Sequence, residues 1–161
     1  MYSSGVESEN YLRGVQIADD DGKVTFTSVF PACYPGRWPH IHFEVYPDRD
    51  SITDAANEIA TSQVALPPGA CEVAYATAGY ESSARTLAGV TLESDNVFGD
   101  DGGATQLGAT TAGTADGYTV RLTAGVDTTT APVAGGTGGP PAGGKGARPD
   151  PRGPGTAGEN G

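Results

Sequence analysis

Composition changes sharply near Ala131, and this change limits how much of the chain can build a core. From Ala131 to Gly161 the sequence holds 11 of the 25 glycines and 6 of the 12 prolines, lacks aromatic residues, and has no aliphatic side chain larger than alanine after Val133. Such a segment buries too little apolar surface to offset the entropy lost on ordering. We therefore expect one domain with a small core over residues 1–127, followed by a disordered Gly/Pro-rich tail over residues 128–161.

The net charge of −11 excludes several classes of partner. The predicted tail holds three basic and two acidic residues, so the rest of the chain carries −12. A domain this acidic repels nucleic acid and anionic membranes. No segment has the apolar length of a transmembrane helix, and the opening residues MYSSGVE have neither the basic region nor the apolar stretch of a signal peptide. We expect a cytoplasmic protein, unless a longer N-terminus carries an export signal.

The two cysteines, Cys33 and Cys71, are too few to define a disulfide framework. In a chain without an export signal, two buried thiols that act as small apolar side chains are the simpler interpretation. A bridge between them is the alternative, and the sequence leaves both open.

Short alternating apolar runs predict β-strands in the first half of the chain. Lys23–Phe30 places Val24, Phe26 and Phe30 on one face, and the preceding Asp-Asp-Asp-Gly is a turn signal, so Tyr11–Ala18 and Lys23–Phe30 are predicted to form a hairpin. Prolines make Pro31–Pro39 a loop. Two further strands are expected, at His40–Tyr46 and Thr61–Leu66.

The second half of the chain predicts helices and another hairpin. Two short helices are expected at Ala70–Ala78 and Glu81–Ala88, with a glycine after each as the C-terminal stop. Thr105–Ala112 and Tyr118–Val126 are predicted to form a hairpin around Asp116-Gly117. Together these elements predict a mainly-β domain with short helical excursions, most simply a β-sandwich.

The two histidines of the chain, His40 and His42, stand one residue apart on a predicted strand. Alternate residues of a strand share a face, so both imidazoles project to the same side and can give a metal two nitrogen ligands. By itself this pattern is more common on exposed strands than in metal sites. Tyr34 adds a hard oxygen donor, which suits a trivalent cation such as Fe(III), and Arg37 adds a fixed positive charge.

Taken together, these residues resemble the intradiol ring-cleavage dioxygenases, which include the catechol, hydroxyquinol and protocatechuate dioxygenases. The resemblance covers a strand, an acidic turn, a second strand and a Tyr-Arg-His-x-His block in the order found in the family. It is strong over Tyr2–Tyr46, looser over Thr61–Ala88 and absent from the tail. The segments that carry it are LRGVQ at 12–16, DDDGKVTF at 19–26, FP at 30–31 and YPGRWPHIH at 34–42.

This resemblance implies a β-sandwich that holds a non-haem ferric ion between two tyrosines and two histidines. Tyr34, His40 and His42 match three of the ligands, and Tyr2, in a Tyr-Ser-Ser-Gly segment, occupies the position of the first tyrosine. Arg37 matches the arginine that stabilises charge on the bound substrate. Gln63, in TSQVALP, matches a glutamine that lies next to the metal site.

The resemblance also implies a reaction, the cleavage of a catechol-type aromatic diol by O2 between its two hydroxyl-bearing carbons to give a cis,cis-muconate-type product. The ferric ion would activate the bound catecholate, Tyr34 would take up one of its protons, and Arg37 would stabilise charge on the ring.

The chain departs from the family at its N-terminus, because the strands that precede the first tyrosine in family members have no counterpart here. We therefore also consider an inactive fragment of the same family, or a non-catalytic β-sandwich binding module tethered by its tail. A zinc or copper site in a cupin-like barrel is a third alternative. It is disfavoured because the chain has no further histidine.

Overall fold

The computed structural model describes Gly5 and residues 8–10, 12–114 and 117–130, without side chains for residues 110–114. Tyr2 and residues 131–161, which make up most of the predicted tail, lie outside this part of the chain. The described residues form two antiparallel two-stranded sheets and two short α-helices. This supports the prediction of a mainly-β chain with helical excursions. No described helix is long and apolar enough to cross a membrane.

The first sheet carries the histidines. Strand β1 (His40–Val45) pairs antiparallel with β2 (Ala60–Ala65), in a register that places His40 opposite Ala65 and His42 opposite Gln63. Both predicted strands are therefore confirmed to within a residue at each end. The acidic loop between them contains two short 3-10 turns, Ser51–Thr53 and Ala55–Asn57.

Two helices follow the first sheet. Helix α1 (Pro68–Tyr75) begins two residues earlier than predicted, because proline is well tolerated in the first turn of a helix, and ends three residues before the predicted Ala78. Helix α2 (Glu81–Leu87) lies within the predicted Glu81–Ala88. Gly79, between the helices, has a φ of +96°, a conformation that glycine adopts without strain.

The second sheet is a C-terminal hairpin, as predicted, but the ends of its strands differ from the prediction: the first strand begins later, and the second ends at Arg121 rather than at Val126. Strand β3 (Ala109–Thr114) pairs antiparallel with β4 (Gly117–Arg121). The predicted start at Thr105 was wrong, because residues 101–106 form turns. The backbone at Gly108 also passes close to its neighbours, because a Cβ atom there would clash with Cγ1 of Val120.

The predicted N-terminal hairpin is only partly formed. The acidic turn is present, since the Asp19 N–H donates to the Lys23 carbonyl at 3.1 Å and the Gly22 N–H donates to the Asp19 carbonyl at 2.9 Å. Residues 12–18 and 24–30 form no strand, which corrects the prediction, and Tyr11 lies outside the described residues. Except for Phe30, which packs against the core, their apolar side chains stay exposed, to 74% for Ile17. A two-stranded ladder without a packed face is marginal, so alternation alone does not order it.

The core lies between the first sheet, the helices and the turns that follow them. Both cysteines are buried and free, and burial raises the pKa of Cys71 to about 12, so these thiols behave as small apolar side chains. The buried cluster consists of Cys33, Trp38, Ala65, Leu66, Cys71, Ala74, Tyr75, Val90 and Phe98.

Two tyrosines attach the loop before β1 to the helices. The Tyr75 hydroxyl donates to the Pro31 carbonyl at 2.8 Å, and the Tyr80 hydroxyl donates to the Phe30 carbonyl at 2.6 Å. The Cys33 N–H donates to the Ser83 hydroxyl at 3.1 Å. These bonds hold the loop that carries the candidate site against the core.

Candidate functional site

A tight turn brings Tyr34 and Arg37 together at the start of the site. The Arg37 N–H donates to the Tyr34 carbonyl at 3.3 Å, and Gly36 has a φ of +81°. Proline at the second position and glycine with positive φ at the third position are the requirements of a type II turn, so Tyr-Pro-Gly-Arg encodes this turn directly. Tyr34 and Arg37 therefore stand at its two ends, immediately before β1.

The Tyr34 phenol contacts the His40 imidazole. Tyr34 Oη lies 3.3 Å from His40 Nε2, and the two rings meet edge to face with their centroids 5.7 Å apart. His40 Nδ1 lies 2.5 Å from the Trp38 carbonyl oxygen, which can only accept a hydrogen bond. In the neutral imidazole the proton therefore sits on Nδ1, and the lone pair of Nε2 faces the phenol oxygen.

His40 favours its neutral form. Burial lowers its pKa below the ordinary value, and the nearby positive charge of Arg37 acts in the same direction, whereas the hydrogen bond to Trp38 and the carboxylate of Asp95 oppose them. A neutral imidazole whose other nitrogen donates to a backbone carbonyl is the usual arrangement of a metal-binding histidine.

The spacing of these two atoms fits a shared metal ion. Two donor atoms that each lie about 2.1 Å from a metal are separated by about 3.0–3.4 Å at coordination angles between about 90° and 110°. The Tyr34–His40 separation of 3.3 Å falls in this range. Within the described part of the chain, no group of three or more His, Cys, Asp and Glu side chains could hold a metal. A site built from the described residues here would therefore include the Tyr34 phenol oxygen as a ligand.

His42 and Tyr2 complete the predicted ligand set only in part. His42 follows His40 on the same face of β1 and is exposed, and its imidazole makes no hydrogen bond to a described side chain. Its imidazole is therefore accessible beside that of His40. Tyr2 lies outside the described residues, so the structure says nothing about its position.

Arg37 is held on two sides. Its Nε donates to Asp95 Oδ2 at 2.9 Å and its Nη2 donates to Gln63 Oε1 at 2.5 Å, while the guanidinium carbon lies 5.9 Å from the centre of the Phe98 ring. The third nitrogen, Nη1, makes no hydrogen bond to a described residue. Every buried side-chain nitrogen and oxygen of the described residues has a hydrogen-bond partner. Because Nη1 has none, it is not buried and is in contact with solvent. The predicted arginine and glutamine thus lie in one cluster next to His40.

Asp95 and Phe98 belong to this cluster, and neither was predicted from the sequence. The Asp95 carboxylate accepts hydrogen bonds from the backbone N–H groups of Trp38, Val97 and Phe98 in addition to Arg37. The buried Phe98 ring meets the His40 ring edge to face, with their centroids 6.2 Å apart. A signal for Asp95 was present, because an aspartate that starts a turn often accepts bonds from the next backbone N–H groups. Its sequence context, Glu-Ser-Asp-Asn, is nevertheless polar and typical of an exposed loop.

Comparisons of the chain with models of known protein families, with curated proteins and with solved structures found no match.

Proposed function

We propose that this chain is a non-haem Fe(III) dioxygenase of the intradiol type, built on a β-sandwich, that cleaves catechol-type aromatic diols with O2. The observation that supports this most directly is the pairing of Tyr34 Oη with His40 Nε2 at 3.3 Å, with the other imidazole nitrogen held by the Trp38 carbonyl. A phenol oxygen next to a preoriented imidazole is a donor pair suited to a hard, trivalent ion that also accepts nitrogen.

The proposed ligands are Tyr2, Tyr34, His40 and His42. When bound to them, a ferric ion would make the catechol dianion reactive toward O2, so that both oxygen atoms enter a cis,cis-muconate-type product. The protein itself would bind the diol, accept its protons and orient its ring.

Tyr34 has the exposure that a mobile proton acceptor needs. Its side chain is 43% exposed and stands at the end of a turn, in contact with His40 on one side. As a phenolate it can accept a proton from a substrate hydroxyl at Oη and then rotate toward solvent, leaving its place to the substrate oxygen. The half-buried imidazole of His40 stays where the Trp38 carbonyl holds it.

Arg37 supplies a positive charge whose direction is fixed. Its side chain is only 12% exposed, so the charge acts in a partly desolvated environment, where it attracts an anionic ring more strongly than it would in water. Gln63 restrains Nη2, and Nη1 remains directed to the open side. The buried ring of Phe98 excludes water from the other side of the guanidinium.

The visible spectrum of the protein purified with ferric iron tests this proposal. A tyrosinate bound to Fe(III) absorbs in the visible range, so we expect a burgundy protein whose colour is lost or strongly reduced in Tyr34→Phe. Tyr118→Phe is the matched control, because Tyr118 is exposed on β4 and contacts Phe30 rather than the site. Oxygen uptake with catechol, hydroxyquinol and protocatechuate then ranks the substrates.

The outcomes separate the alternatives. A colourless protein that retains no ferric iron would refute the enzyme and favour a binding module. A coloured protein that consumes no O2 with any of the three diols would indicate an inactive fragment with an intact metal site. Equal loss of colour in Tyr34→Phe and Tyr118→Phe would refute the assignment of Tyr34 as a ligand.

A further inference from the structure

We propose that Asp95 is the positioning residue of this site, and that its buried carboxylate fixes both the Arg37 guanidinium and, through the backbone of Trp38, the His40 imidazole. The inference rests on the function proposed above for Arg37 and His40. Asp95 is separated from these residues by more than fifty positions in the sequence, so it links the turn after the helices to the loop that carries the site.

The Asp95 carboxylate is itself rigidly held. Asp95 is 2% exposed, and its Oδ1 accepts the N–H groups of Val97 and Phe98 at 2.7 and 3.1 Å. These bonds fix one oxygen against the backbone of its own turn. The other oxygen, Oδ2, therefore presents a fixed acceptor to the loop.

One branch leads from Oδ2 to Arg37. The Arg37 Nε donates to this oxygen at 2.9 Å, and Nη2 is bound by Gln63, so the guanidinium plane is held at two corners. Only Nη1 is left to meet a ligand. An arginine restrained in this way loses little side-chain entropy when it binds an anionic group.

The other branch leads from Oδ2 to His40. The Trp38 N–H donates to Oδ2 at 2.6 Å, and the Trp38 indole donates to the Leu66 carbonyl at 2.8 Å, so Trp38 is fixed through both its backbone and its side chain. The Trp38 carbonyl then accepts the His40 Nδ1 proton. The direction of the His40 lone pair thus depends on where Asp95 holds the Trp38 backbone.

The negative charge of Asp95, as well as its hydrogen bonds, should affect ferric binding. Arg37 and Asp95 form a buried ion pair close to His40, and the pair adds no net charge to the site. Without the carboxylate, the positive charge of Arg37 would stand uncompensated beside the proposed cation site. Loss of Asp95 should therefore weaken ferric binding, in line with the roughly 10–100-fold effects seen when groups that orient metal ligands are removed.

The experiment compares Asp95→Asn with Asp100→Asn, which removes the same charge from an exposed position a few residues away. Arg37→Lys is the third variant, because it removes the Nε hydrogen bond to Asp95 but leaves the Trp38 bond in place. Each variant is first checked for its fold by circular dichroism. In the metal-free protein, 15N NMR reports which nitrogen of His40 carries the proton. Ferric titration gives the affinity, and steady-state kinetics give kcat and KM.

Asp95→Asn should lose the preference for the Nδ1–H form of His40 and bind ferric iron about 10–100-fold more weakly. Arg37→Lys should keep the imidazole tautomer and lose turnover. Asp100→Asn should match the parent protein in tautomer and in affinity within about twofold, since an exposed charge is screened.

The proposal is overturned if Asp95→Asn keeps both the tautomer and the affinity of Asp100→Asn. It is also overturned if Arg37→Lys changes the tautomer as strongly as Asp95→Asn, because Asp95 would then act through Arg37 alone. The tautomer is measured without metal, so it decides this inference even if the protein proves to bind no ferric iron. If Asp95→Asn does not fold, hydrogen exchange of the Trp38 amide in the parent protein replaces it. If the Trp38 amide exchanged as fast as the Asp100 amide, the hydrogen bond from Trp38 to Asp95 would be refuted. Strong protection of the Trp38 amide would support it.

Discussion

Replacing Phe98 with alanine should be among the most damaging single changes in the core. Phe98 is 0% exposed and packs against both His40 and Arg37. Its removal forfeits the transfer free energy of the ring and leaves a cavity, which together cost about 3–5 kcal/mol for a buried phenylalanine. Domains of this size have a total stability of about 5–15 kcal/mol, so a large part of the free energy of unfolding would be lost.

Urea unfolding followed by circular dichroism measures this loss, and two further variants control it. Phe98→Leu keeps most of the volume but removes the edge-to-face contact with His40, so we expect a smaller loss of about 1–2 kcal/mol. Val29→Ala removes an apolar side chain that is exposed, and should change stability by less than about 0.5 kcal/mol. A loss of less than about 1 kcal/mol for Phe98→Ala, or of no more than for Val29→Ala, would contradict the burial of this ring in the core.

Two other predictions concern the turn that carries Asp95. Burial alone would raise the pKa of this carboxylate, but hydrogen bonds from Trp38, Val97, Arg37 and Phe98 lower it below its ordinary value. Its contribution to stability should therefore be complete above the unfolded-state pKa of about 3.9 and be lost as the pH falls toward the lower folded-state pKa. Urea midpoints between pH 7 and pH 3 should converge for the parent protein and Asp95→Asn at the acidic end, and parallel curves would contradict this. Gly99→Ala should destabilise the same turn by about 1–3 kcal/mol, because its Cβ would lie 2.5 Å from the Asp95 carbonyl oxygen; thermal unfolding with no shift would show that the turn opens freely.

Local signals predicted those features of the chain that depend on local geometry. Tyr-Pro-Gly-Arg specifies a turn, and alternation in His-Ile-His-Phe-Glu-Val specifies a strand whose partner, β2, lies in the next apolar run. For this reason the contact between Tyr34 and His40 was accessible from sequence. Both residues lie within seven positions, and one turn and one strand determine their relation.

Features that depend on distant partners were not accessible in this way. Residues 12–29 have a strand-like pattern, but their apolar side chains are left exposed and no ladder forms. Alternation predicts which residues share a face of a strand. It does not predict whether another part of the chain packs against that face. Asp95 is the opposite case, since its sequence context is that of an exposed acidic loop. Its burial follows from Arg37 and Trp38, more than fifty residues earlier.

The position of Trp38 gives the protein a built-in optical probe. Trp38 is the one tryptophan of the chain, is buried, and stands between Arg37 and His40 in the loop that forms the site. Its emission should be blue-shifted in the native protein and should report the opening of this loop. A tyrosinate–iron chromophore formed a few residues away would also quench it by energy transfer. Ferric occupancy could then be followed by fluorescence in the unlabelled protein at concentrations far below those needed to see its colour.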